Sequence, residues 1–127
     1  PMMDKFSADY KEIMGKDPTC WSVLSYDAMM TLKQAIEAAD SFDRDAVALA
    51  LESETFDTLR GPLYYRDIDH MMNSPHYFAT SVFDEERGYC IGKDAIVIPG
   101  EKNWRSEEEI LKIRKEKGIE FVPWSAK

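Results

Sequence analysis

Thr19-Cys20-Trp21-Ser22-Val23-Leu24-Ser25-Tyr26-Asp27-Ala28-Met29-Met30-Thr31-Leu32-Lys33-Gln34-Ala35-Ile36-Glu37-Ala38-Ala39 is the stretch on which the reading of this chain turns. It follows Pro18, and Thr19 suits the N-cap because its hydroxyl accepts a backbone N–H that no helical carbonyl can satisfy. Met29, Leu32, Ile36 and Ala39 recur at steps of three, four and three, which gathers them on one helix face. Ala28, Ala35 and Ala38 offer small contact points for a closely packed neighbour. The pattern predicts a helix over 19–39, the best core helix in the chain, with Met29, Leu32, Ile36 and Ala39 as its apolar stripe.

On the N-terminal side, Phe6, Tyr10, Ile13 and Met14 repeat at helical spacing. Asp4 or Ser7 can cap that helix, and Gly15 followed by Lys16-Asp17-Pro18 supplies a stop. On the C-terminal side, Asp40-Ser41-Phe42-Asp43 breaks and re-caps the chain, and Ala46, Val47, Ala50 and Leu51 define a third helix ending near Ser53. From Phe56 the period changes. Gly61-Pro62 reads as a turn or edge signal, residues 63–66 as a short aromatic strand, and Asp67-Ile68-Asp69-His70 as the start of a polar connection to Asn73-Ser74-Pro75. Residues 77–83 and a return in two pieces, 89–91 and 95–98, form a hairpin whose connector carries Gly88 late. Pro99-Gly100 closes it. Ser106 and Glu109 make a capping box for a terminal helix over 107–117, stopped by Gly118 and followed by residues 119–122 and a tail at Pro123-Trp124. The fold class is α/β: three helices, then a β-hairpin and a short terminal helix.

Composition narrows the function classes. The chain has 127 residues, 16 Lys and Arg against 24 Asp and Glu, and a formal charge of −8, with 44% hydrophobic and 31% charged residues. That is at most one domain of ordinary globular make-up. No apolar run approaches the roughly 18 residues of a membrane span. The acidic balance argues against nucleic acid as a partner, since phosphates are gripped by clustered Lys and Arg. Residues 112–117, the one basic run, include Glu116 and follow three glutamates, so they read as a solvated helix face. Pro1-Met2-Met3-Asp4 enters a helical pattern at once and carries no export signal, which we read as a piece of a longer chain. Cys20 and Cys90 are read as two buried thiols, with a disulfide between them the open alternative.

Catalytic constellations are weak. Asp67, Asp69, His70 and His76 are the densest set of metal-ligand types, but they lack a repeated Cys or His spacing and fit a hydrogen-bonded turn better than a Zn²⁺ or Mn²⁺ site. Asp67 and Asp69 sit in a turn with no apolar surround to raise a pKa. Neither histidine neighbours a cysteine in sequence, and there is no phosphate loop or nucleophile elbow. We therefore assign no catalytic residue, metal or cofactor, and no enzymatic activity. Aromatic residues are abundant, with three Trp, six Tyr and six Phe. Trp21 stands out on the first turn of the long helix, where a side chain either projects past the helix end into a cleft or packs under the neighbouring turn. On the helix pattern alone the second reading is favoured.

The order of these motifs resembles a known family. Phe6-x-x-x-Tyr10, Gly15-Lys16-Asp17-Pro18, Tyr26-Asp27-Ala28 with Leu32-x-x-Ala35-Ile36-x-x-Ala39, Phe56 and Gly61-Pro62-Leu63 together are similar to the C-terminal third of branched-chain-amino-acid-type periplasmic solute-binding proteins, the extracellular ligand-binding receptors of ABC importers. The likeness spans about residues 3–100. Tyr65-Arg66-x-x-Asp69-His70 resembles a subgroup with an Arg-x-x-Asp-His run after the Gly-Pro strand, some members of which take up aromatic or other organic acids; that subgroup usually carries Gln where this chain has Met71.

The resemblance implies a C-terminal fragment of a two-lobed type I periplasmic binding protein fold, with ligand held between lobes joined by three crossovers. Residues 1–73 would complete lobe one, and residues 74–127 would supply the third crossover (Asn73, Ser74, Pro75 and His76), the lobe-two hairpin and the C-terminal helix and tail. An aromatic five residues before the Tyr-Asp-Ala tyrosine lines the family's cleft, which moves Trp21 from the helix-packing reading to a ligand contact, with Cys20 beside it as a second ligand-binding candidate. A small-molecule ligand, a membrane permease and a periplasmic or extracellular location, lipid-anchored in a Gram-positive source, follow from the same resemblance. A ligand-sensing regulatory domain of the same fold is the second reading, and a small metal-dependent enzyme built on Asp67, Asp69, His70 and His76 the third. In a fragment, Met29, Leu32 and Ile36 would lack their cover, so self-association is expected.

Overall fold

The computed structural model describes residues 2–123; Trp124 and the rest of the tail lie outside the described residues. Three helices come first: α1 (Met2–Met14), α2 (Cys20–Ala39) and α3 (Arg44–Ser53). They are followed by a small antiparallel pair, β1 (Thr55–Thr58) and β2 (Gly61–Tyr64), a long antiparallel ribbon, β3 (His76–Asp84) and β4 (Tyr89–Ile98), a 3₁₀ turn (Gly100–Asn103) and α4 (Glu107–Glu116). No helix among the described residues is long and apolar enough to cross a membrane.

Local signals set the helix ends. Thr19 caps α2: its hydroxyl accepts the Ser22 N–H, and the Ser22 hydroxyl accepts the Thr19 N–H in return. Asp43 caps α3, its carboxylate accepting the N–H groups of Asp45 and Ala46. Ser106 and Glu109 form the reciprocal box on α4. At the first helix the expectation needs correcting, because α1 is already running at Met2 and both Asp4 and Ser7 lie within it rather than capping it.

The core lies where α2, α3 and the small sheet meet. Ala35, Ala50 and Phe56 are buried together, with Ala39, Val47, Leu51 and Tyr65 packed around them and Phe56 meeting the edge of Tyr65 at 6.3 Å between ring centroids. The buried face of α2 is Asp27, Thr31 and Ala35, not the predicted stripe: Met29 is 67% exposed, Leu32 is also exposed, and of the three alanines only Ala35 is buried. The reason is the partner. α3 and the β1–β2 turn lie against the side of α2 that carries small and hydrogen-bonding residues, where backbones can approach closely. Gln34 extends that docking, its side-chain amide donating to the Asp57 carbonyl (2.9 Å) and accepting the Asp57 N–H (3.0 Å), as a neighbouring strand would.

Two strand assignments also change. Gly61 and Pro62 are residues of β2, paired with Thr58 and Asp57, and the turn is Leu59-Arg60. The ribbon's return strand is continuous from Tyr89 to Ile98, because a bulge opposite Ala79, with Asp94 at φ +54°, absorbs the extra residue that split it in the sequence reading. Both cysteines are free and exposed, so neither the buried-thiol nor the disulfide reading applies.

Candidate functional site

Asp27 is the group that organises the site. It sits two turns into α2 and is 1% exposed. One carboxylate oxygen accepts the Leu59 N–H at 2.8 Å and the other accepts Arg60 Nε at 2.7 Å. A β-hairpin whose two-residue turn lacks Asn or Gly has little local reason to close tightly. Here the turn is held from outside by a helix side chain. The Arg60 guanidinium is itself mostly buried, so each charge offsets the other's desolvation. Its Nη1 donates to the Ser74 hydroxyl, which carries the link into the chain segment leading to the ribbon.

That segment is built by a second set of contacts. Asn73 exchanges hydrogen bonds with Tyr64 at the end of β2: its side-chain oxygen accepts the Tyr64 N–H at 2.8 Å, and its own N–H donates to the Tyr64 carbonyl at 3.0 Å. The Asn73 side-chain nitrogen donates to Glu101 at 3.2 Å, and the Tyr64 hydroxyl reaches the same carboxylate at 3.4 Å. The chain therefore leaves the body at Asn73 and returns beside itself at Gly100, which is buried. A Cβ on Gly100 would lie 2.5 to 2.7 Å from the backbone of Asn73 and Ser74. The segment leading into β3 and the turn that follows β4 approach each other backbone to backbone, and we call this place the crossing.

Arg66 braces the return. It chelates Asp69 with two N–H groups, donates to the Arg105 carbonyl at 2.9 Å and lies 4.5 Å from the centroid of Trp104. Burial alone would raise the Asp69 pKa, but hydrogen bonds from Arg66 and the Met71 N–H outweigh it and hold the carboxyl below its ordinary range. His70, at φ +57°, sets its Nε2 2.7 Å from Glu52 on α3. His76 opens β3. Of the four residues considered as a metal set, Asp69 is taken by Arg66 and His70 by Glu52, Asp67 lies in the turn before them and His76 in the ribbon, and no group of three or more His, Cys, Asp or Glu able to hold a metal occurs among the described residues.

Between α2 and the crossing strands lies a concavity of about 540 Å³. Cys20, Val23 and Leu24 line it from the first turns of α2, Met3 from α1, Leu59 and Arg60 from the β1–β2 turn, and Ser74, Pro75, His76 and Tyr77 from the crossing segment. The predicted candidates Cys20, Ser74, Pro75 and His76 are brought together here from positions more than fifty residues apart. Asn73 lies behind them, spent on Tyr64 and Glu101. Trp21 is not in the lining; it stands 74% exposed at the same helix end, so the reading in which it packs under the neighbouring turn is corrected. His76 shares the concavity with Cys20, which sequence order did not indicate. The walls are chiefly apolar and the Arg60 guanidinium among them is neutralised by Asp27, a chemistry suited to holding an apolar group and offering few polar contacts.

Asp27, Arg60 and Gly100 were not among the predicted site residues. The Tyr-Asp-Ala motif contained Asp27, but an acidic residue on a helix reads as solvent-facing until its partner, 33 residues away, is known. Pro99-Gly100 read only as a strand stop.

A second concavity, about 290 Å³, is lined by Ala48, Leu51, Glu52, Tyr65 and His70. It gathers none of the predicted ligand or crossover residues.

Comparison with known proteins agrees with this architecture. No curated protein matches the chain. Among solved structures, the chain is similar to the crystal structure of an ABC-type branched-chain amino acid transporter from Rhodopseudomonas palustris CGA009, with a TM-score of 0.70 and 19% identity over 78% of this chain. The chain spans only 27% of that one. The likeness shows the fold: a portion of the type I periplasmic binding protein architecture. The profile of the periplasmic binding protein family matches residues 1–86, which takes in the three helices, the small sheet, the crossing segment and the outgoing strand of the ribbon. The chain belongs to the periplasmic binding protein family.

Proposed function

We propose that this chain is part of the solute-binding receptor of an ABC importer and that the concavity beside α2 forms one wall of its ligand cleft. Family membership supports the solute-binding role and a binding function rather than catalysis, together with a periplasmic or extracellular location. The observation that carries the reading is the convergence of the α2 N-terminus, Arg60 held by Asp27, and the segment Ser74 to His76 on one apolar hollow. In this reading Asn73 to His76 is the third crossover between lobes, residues 1–73 complete lobe one, and residues 74–127 carry the crossover into the lobe-two hairpin and the C-terminal helix and tail. Trp21 and Cys20 meet the ligand's apolar portion from the cleft rim. A membrane permease is the partner that receives the ligand, and the ligand is an amino acid or an aromatic or other organic acid. The exposed apolar row on α2, with Phe42 91% exposed beyond it, supports self-association of the 127-residue chain in isolation.

Thermal-shift screening of the receptor carrying this chain, against branched-chain amino acids and aromatic acids, tests the reading. A true ligand at about a hundred times its Kd stabilises by about 2.7 kcal/mol and raises the melting point accordingly. No shift with either class overturns the ligand assignment. Light scattering of the isolated chain tests association, and a monomer at high concentration overturns it.

A further inference from the structure

The ribbon touches the body at a second place, far from the crossing. Tyr89, at the base of the β3–β4 turn, donates its hydroxyl proton to Asp17 Oδ2 at 2.6 Å, across 72 residues of sequence. Asp17 lies in the α1–α2 loop, three residues before Cys20, and its other oxygen pairs with Lys11 Nζ at 3.1 Å. On the ribbon side, Arg87 reaches the Tyr89 hydroxyl at 3.4 Å, and the Arg87 N–H donates to Asp84 at 2.9 Å, which fixes the turn. β3 runs nine residues from His76, in the concavity lining, to Asp84, which pairs with Tyr89. At roughly 3.3 Å per residue that places the catch point some 25–30 Å from the crossing. The ribbon is therefore pinned at both ends, by the Gly100–Asn73 crossing and by Asp17, with the rim carrying Cys20 beside it.

We propose that Asp17 and Tyr89 form a catch that holds the ribbon against the α1–α2 loop and so sets how far the cleft opens. This rests on reading the concavity as the ligand cleft and the ribbon as part of the opposite lobe. The crossing supplies a pivot of backbone contacts. The catch supplies one charged hydrogen bond at the far end, where a small rotation about the pivot produces the largest separation. Tyr89 and Asp17 are positioning residues: they bear on ligand capture by biasing the lobe arrangement.

The two native cysteines report on it directly. Cys20 and Cys90 are free and exposed, one three residues beyond Asp17 and the other adjacent to Tyr89. Spin labels on both, in labelled chain diluted into an excess of unlabelled chain and read by double electron–electron resonance without ligand, should give one narrow distance distribution in the wild-type chain. Tyr89→Phe and Asp17→Ala should each move about fivefold more of the population to longer distances, as expected for losing one surface hydrogen bond to a carboxylate. The double variant should do no more than either alone. Circular dichroism of all three checks that the helices remain. A wild-type distribution as broad as the variants', or additive effects in the double variant, overturns the catch. Because no ligand is present, a failed ligand screen leaves this result standing, and a failed distance test leaves the ligand assignment standing.

Discussion

Phe56 and Phe78 are the same side chain used in opposite ways. Phe56, on β1, is 1% exposed and sits against Ala35 and Ala50; Phe78, on β3, is 60% exposed. The difference extends to their regions. In the body, α2, α3 and the small sheet enclose a core, and its buried carboxylate, Asp27, is paired with Leu59 and Arg60 across long sequence separations. In the ribbon no residue of either strand is buried, and Tyr77, Phe83, Ile96 and Val97 stand open beside Phe78. A two-stranded ribbon covers neither of its own faces, so it is marginal in water unless something packs on it. Tertiary stability is therefore concentrated in the body, while the ribbon depends on its two attachment points.

Substitutions can break that contrast. The largest effect is expected at Asp27. Asp27→Ala removes one partner of a buried ion pair and strands Arg60, at a cost of about 3–4 kcal/mol measured by urea denaturation; a loss below about 1 kcal/mol would mean the pair does not organise the body. Phe56→Ala should cost about 3 kcal/mol by opening a cavity in the same core. Gly100→Ala should cost about 2 kcal/mol, because the new methyl meets the backbone of Asn73 and Ser74, which cannot swing aside as a side chain would. Phe78→Ala should change stability by less than about 0.5 kcal/mol in the isolated chain, the mark of a side chain with nothing to lose.

Acid provides the mildest probe. Tyr89's hydroxyl and then Lys11 hold the Asp17 carboxyl below its ordinary value of 3.8, and Arg87 favours the charged form from the ribbon side. A depressed folded-state pKa means that the contribution is complete above the ordinary aspartate pKa and is lost as pH falls through the depressed value. The Cys20–Cys90 distance should therefore stay narrow at neutral pH and broaden only below about pH 4. Asp69 is also depressed, by Arg66 and the Met71 N–H, so Asp17→Ala is the control that separates the two: in that variant the distribution should already be broad and should not respond to acid.

The parts legible in the sequence share a scale. Thr19 with Ser22, Asp43 with Ala46, Ser106 with Glu109, and Gly88 in the ribbon turn each involve groups within a few residues, so chain geometry alone brings them together. Motif order extended this to the fold, because spacing between motifs survives substitution of the residues in between. The α2 stripe shows where local reading fails. Periodicity finds the most hydrophobic face, but which face is buried depends on what docks there, and α3 and the Leu59-Arg60 turn dock on Asp27, Thr31 and Ala35. For the candidate site, Cys20 and Ser74 to His76 were named from sequence, while Asp27 and Arg60, which bring them into one hollow, were not.

The caps of α2, α3 and α4, the hairpin and the family were thus written in the order of residues, since capping and turn chemistry are local and need no partner. Which acid is buried, which glycine carries a backbone crossing, and which tyrosine reaches back 72 residues to an aspartate were decided only by tertiary structure. A desolvated charge, or a missing Cβ at van der Waals distance, acquires its meaning only when a distant segment arrives beside it.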